Sequence, residues 1–127
     1  VAVYQYEGYC YGKILGTFDS EGKMDDDIYH PKGRAEGVVG QPFYAGLDII
    51  WNLEPKGPVY KGNIVDPQKG KVYGAELWRK EQNLIVRGKL LFFGRNQTWL
   101  PASDADFPKG FKKPPLSSLV PRIPEVK

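Results

Sequence analysis

Between Val59 and Leu100 the chain alternates apolar runs of strand length with short polar clusters, and this rhythm constrains the fold more than any other feature. Val59 to Val65 precedes Asp66-Pro67-Gln68-Lys69-Gly70; Lys71 to Lys80 and Leu84 to Phe93 flank Glu81-Gln82-Asn83; Gly94 to Leu100 follows. Val, Ile, Tyr, Phe and Trp suit a pleated, half-buried surface, and turn clusters at this spacing write an antiparallel meander. The cluster at Asp66 has the chemistry of a type I turn. Aspartate leads, Pro67 presets φ, and Gly70 can take positive φ on the way out, so Asp66 and Gly70 are structural. Glycines at 62, 74, 88 and 94 fall inside strands, where they often mark a bulge or a bend.

The rest of the chain follows the same logic. Fifteen glycines and eleven prolines in 127 residues leave helices little room, since they cost about 1 and 3 kcal/mol in a helix interior. Val1 to Glu7 alternates, with Val1, Val3 and Gln5 on one face and Ala2, Tyr4 and Tyr6 on the other. Glu7-Gly8 marks a hairpin turn before Tyr9 to Leu15. Residues 19–27 read as a solvated acidic loop, extended by residues 28–41, and a loop of that length is either functional, for example a lid over a cavity, or partly mobile. Phe43 to Leu53 reads as a strand carrying Phe43, Ala45, Leu47, Ile49 and Trp51 on one face, and Pro55 to Pro58 turn it into the meander. Six or seven strands within residues 1–100 suit one closed or nearly closed up-and-down barrel. After Pro101 the composition shifts, with Lys112-Lys113-Pro114-Pro115 inside it, so residues 101–127 form a Pro-rich tail that is extended, wrapping or loose.

Charge and chemistry narrow the function. The net charge is +3, and lysines and arginines are scattered in runs no longer than two; a nucleic-acid surface concentrates them, so none is expected as a partner. No apolar stretch approaches the ~18 residues of a membrane span. The single histidine, His30, and the single cysteine, Cys10, build neither a typical zinc site nor a nucleophile–base pair. No nucleophile elbow, phosphate loop or dinucleotide fingerprint is present, and the carboxylates of 19–27 lack calcium-loop spacing. The expectation is a binding scaffold with no catalytic residues, no metal and no cofactor.

Three blocks carry a resemblance. Gly62-x-Ile64-x-Asp66-Pro67-x-x-Gly70-Lys71-x-Tyr73, then Leu84-x-Val86-Arg87-Gly88, then Gly94-Arg95-x-Gln97-Thr98-Trp99 resemble the exported bacterial domain-of-unknown-function family 2147. The resemblance covers most of residues 4–100 and none of the tail. It implies a lipocalin-like, calycin-type barrel with a cavity, and a periplasmic or secreted location. The family usually opens with a Gly-x-Trp strand after a signal peptide, so either these 127 residues lack that beginning or the barrel closes differently, and members often have a second cysteine near Cys10. By the same resemblance, Arg95 would lie across Trp99 at the closed barrel end, a structural pair held by cation–π contact.

The aromatics supply the site. Tyr4, Tyr6, Tyr11, Trp51, Tyr60, Tyr73 and Phe92 recur at alternating strand positions, and tyrosine joins an apolar body to a polar tip. They would line a cavity for a small apolar or amphipathic ligand, unless they only fill the barrel. Arg87, alone in an apolar strand, either faces water or anchors an anionic, lipid-like head group from inside, with Glu76 a diagonal neighbour. The alternative function is a protein-interaction module that uses the aromatic surface or the tail.

Overall fold

A computed structural model describes residues 1–89 and 94–127. Seven strands form one antiparallel sheet in the order β1 (Ala2–Tyr6), β2 (Tyr9–Lys13), β5 (Asp48–Lys56), β6 (Val59–Asp66), β7 (Lys71–Lys80), β8 (Asn83–Lys89) and β9 (Gly94–Trp99). A separate hairpin, β3 (Gly16–Phe18) with β4 (Met24–Asp27), branches off between β2 and β5. Chain neighbours are sheet neighbours wherever the meander was expected. The sheet curls into a half-barrel, and among the described residues its first and last strands, β1 and β9, are its edges.

The turns hold as their residues dictate. Glu7 and Gly8 both take positive φ, 47° and 89°, and join β1 to β2 with Tyr6 opposite Tyr9. The Asp66 carboxylate accepts the backbone N–H groups of Gln68 and Lys69, and Gly70 at φ 70° donates to the Asp66 carbonyl. Val65 then pairs with Val72 and Ile64 with Tyr73. A side chain at Gly70 would also strike the Gly37 carbonyl, because residue 37 packs backbone to backbone on this turn.

Three expectations are corrected. Residues 43–47 are not strand: Gly46 sits at φ 94°, and β5 begins at Asp48. Nor does the two-residue alternation expected over Phe43 to Leu53 run to its end, although Ile49 does pack against the core that holds Trp51. Asn52, at φ 53°, forms a bulge that sends Trp51 to one face and Leu53 to the other; an inserted residue breaks the two-residue period. Finally, 19–27 is not simply a solvated loop. Met24–Asp27 pairs with Gly16–Phe18, and Asp26 is buried, accepting the N–H groups of Lys32 and Gly33. Short carboxylates capture nearby backbone donors in this way, which the run of three aspartates concealed.

Residues 101–127 wrap. Leu119 is buried against Tyr4, Tyr11 and Trp51, Val126 bridges Val38, and the Arg122 backbone pairs with Asp48. Two short 3₁₀ turns, Asp104–Asp106 and Leu116–Ser118, punctuate this segment. Further along it, Phe107 and Phe111 stack at 5.3 Å and meet Phe18 and Tyr29.

The sheet is therefore apolar on both faces. Ala2, Tyr4, Tyr11, Trp51 and Val65 form the core beneath the C-terminal segment, and Ile50, Leu53, Ala75, Leu77 and Val86 form the core of the opposite face. Within the first core lies a buried ion pair, Lys13 Nζ to Asp48 Oδ2 at 2.9 Å. Asp48 also accepts the Tyr4 hydroxyl at 2.6 Å and the Arg122 N–H at 2.6 Å, while Lys13 donates to the Gly46 carbonyl. Removing one buried partner strands the other's charge, a loss of about 3–5 kcal/mol. Urea unfolding should show Lys13→Met and Asp48→Leu each destabilised on that scale, with the double variant losing less than their sum; strict additivity would mean the pair is not coupled.

Candidate functional site

Cross-strand register decides which side chains meet. Leu77 lies opposite Tyr60 on one side and Val86 on the other; Ala75 lies opposite Gly62 and Gly88; Val3 lies opposite Gly12. These residues share the face of the Ile50–Leu53 core. At Gly62 an added Cβ would come within 2.8 Å of both the Leu53 side chain and the Trp51 carbonyl, so β5 and β6 close tightly here.

That face holds an open cavity of about 710 Å³. Val3, Cys10, Leu53, Tyr60, Leu77 and Leu84 contribute from β1, β2, β5, β6, β7 and β8, one from each strand. Only a curled sheet brings residues of β1 and β8, the first and sixth of its seven strands, to one cavity, so this is the concave side. Pro58 and Val59, at the β5–β6 hairpin tip, and Arg79 complete its rim. Val3 and Tyr60, large apolar side chains in its wall, are 41% and 42% exposed. A second hollow of about 390 Å³, lined by Ile64, Tyr73, Val86 and Trp99, continues toward the Asp66 turn. Both volumes lie in the range of small-molecule pockets.

The expected site residues divide. Tyr60 lines the larger cavity and Tyr73 the smaller. Tyr4, Tyr6, Tyr11 and Trp51 are instead on the opposite face, in the core that Leu119 covers. There Tyr4 stacks on Tyr11 at 5.7 Å, and the Tyr11 hydroxyl donates to Asn52. Arg87 is also on that opposite face, directly across from Glu76 and one residue from the expected diagonal. Its Nε is buried without a hydrogen-bond partner among the described residues. Phe92 and the Arg95 side chain lie outside the described residues. Trp99 lines the smaller hollow and its indole N–H donates to Gln97.

Sequence reasoning passed over Leu53, Leu77, Leu84 and Arg79 as site residues. Aliphatic walls look the same whether they face a core or a cavity, and Arg79 stands beside Lys80 like an ordinary strand end. Cys10 sits in the cavity wall, and burial pushes its thiol above the ordinary value against a smaller opposite effect from its hydrogen bond with Gln5. A protonated thiol is a weak nucleophile. His30 projects outward, its side chain 82% exposed beside Asp27.

What these elements define is an antiparallel half-barrel with an apolar, open concave face. The first hundred residues match the family model described as "Uncharacterized protein conserved in bacteria (DUF2147)", and the chain belongs to that family. No curated protein and no solved structure matches it. No helix among the described residues is long and apolar enough to cross a membrane.

The opposite face makes a separate prediction. Burial, followed by the hydrogen bond to Asp48, raises the Tyr4 pKa strongly, and burial raises those of Tyr11 and Tyr44. Above pH ~10 the unfolded chain therefore releases protons that the folded chain keeps, and stability falls as pH rises. Tyr4→Phe should cost about 1–3 kcal/mol at neutral pH and flatten part of the alkaline decline, measured by denaturation across pH. An unchanged alkaline slope would contradict the assignment.

Proposed function

We propose that the half-barrel acts as a lipocalin-like binding cavity for a small apolar or amphipathic molecule, and that its role is binding and not catalysis. The observation that carries this is the open cavity of about 710 Å³ spanning six strands. Its walls offer aliphatic and aromatic area with few polar groups, the composition expected of a ligand pocket. A protonated Cys10 and an outward His30 supply no acid–base pair to it. A protein-docking role for the tail ranks second, because Leu119, Arg122 and Val126 are already engaged on the chain's own framework. The periplasmic or secreted location implied by the family resemblance belongs to the same proposal, and fractionation of cells expressing the full gene product tests it.

The neutral fluorophore N-phenyl-1-naphthylamine tests the cavity. It should brighten with the protein at saturable stoichiometry, and Leu84→Trp, which fills the wall, should weaken binding roughly tenfold. Tyr11→Phe, on the covered face, should leave it unchanged. Dye binding that ignores Leu84→Trp and disappears with Tyr11→Phe would put the site on the wrong face of the sheet.

A further inference from the structure

Among the described residues lining the larger cavity, Arg79 is the one charged group; the others named by position are apolar, aromatic or the Cys10 thiol. Register places its side chain on the concave face, since Arg79 pairs with Leu84 two residues beyond Leu77. It stands at the rim between two hairpin tips: Pro58–Val59 of β5–β6, and the β7–β8 turn after Lys80. Among the described residues Arg79 makes no ion pair. An apolar cavity thus ends in an exposed guanidinium whose hydrogen-bonding fork is free among the described residues, and the chain's net charge of +3 also favours an anionic ligand.

We propose that Arg79 is the specificity-determining residue of this cavity, and that the ligand is an anionic amphiphile whose apolar body lies along Leu53, Leu77 and Leu84 and whose head group meets the Arg79 guanidinium at the rim. The proposal rests on the binding function above and names its ligand class. A guanidinium presents parallel N–H donors that match a carboxylate, sulfonate or phosphate in a bidentate pair. Arg87, the arginine whose strand environment first suggested an anchor, cannot serve this cavity, because it stands across from Glu76 on the other face. Because Arg79 is exposed, the pair is solvated; its contribution is modest and sensitive to ionic strength.

Displacement of bound N-phenyl-1-naphthylamine by dodecanoate and by dodecanol, matched in chain length, tests the anchor. At neutral pH and low salt the acid should compete roughly fivefold more tightly than the alcohol. Arg79→Gln should erase that difference without altering the alcohol, Arg79→Lys should keep part of it, and added salt should shrink it. Arg87→Gln serves as the control and should leave the preference intact. Equal competition by acid and alcohol in the natural sequence, a preference that survives Arg79→Gln, or failure of both to displace a bound dye would overturn the anchor while leaving the cavity. Failure of the dye to bind at all would remove the cavity and the anchor with it.

Discussion

Four segments converge on the Asp48 carboxylate, which is fully buried and could not be left unpaired there. Lys13 brings β2 to it, the Tyr4 hydroxyl brings β1, the Arg122 N–H brings the C-terminal segment, and Asp48 itself opens β5. A lone carboxylate in such surroundings would cost several kcal/mol, so each partner is held by the need to satisfy it. Because Lys13 and Asp48 stand opposite each other across a register shift, the pair also fixes how β2 lies on β5. That register in turn decides which side chains reach the concave face. The pair's net contribution to stability is smaller than its consequence for geometry.

The bulge at Asn52 completes that division. A regular strand would place Trp51 and Leu53 together; with the extra residue, Trp51 joins the covered core and Leu53 the open one. Asn tolerates positive φ through its short polar side chain, and here that side chain also accepts the Tyr11 hydroxyl. The C-terminal segment then seals the tyrosine-rich face through Leu119 and Val126. Among the described residues, Val3 and Tyr60 on the aliphatic face stay exposed. One face has become structure, and the other carries the cavity for which a binding role is proposed.

Much of the fold was legible because the turns declare themselves. Glu7-Gly8 and Asp66 to Gly70 each pair a residue that can open a turn with a glycine that can close it, and the strands between follow from length and alternation. The β3–β4 hairpin was not legible, since Met-Asp-Asp-Asp has little intrinsic preference for strand and gains its place from pairing and from the Asp26 contacts. The candidate site was less legible still. Alternation separates two faces but does not say which is covered when both are apolar, so Tyr4, Tyr6, Tyr11 and Trp51 were grouped with Tyr60 and Tyr73 although a sheet divides them. A signal for the buried pair was present, in a single lysine in Tyr11-Gly12-Lys13-Ile14-Leu15 and a single aspartate in Leu47-Asp48-Ile49-Ile50. Opposite charges isolated in two apolar runs are candidates for one another.

Backbone amide shifts followed by nuclear magnetic resonance during addition of dodecanoate would bear on the central claim most directly, because they report which face of the sheet the ligand touches. The account predicts that perturbations gather at Val3, Leu53, Tyr60, Leu77, Arg79 and Leu84, with Tyr4, Tyr11, Trp51 and Leu119 little changed. Perturbations confined to that second group, or spread evenly over both, would contradict a binding site on the concave face.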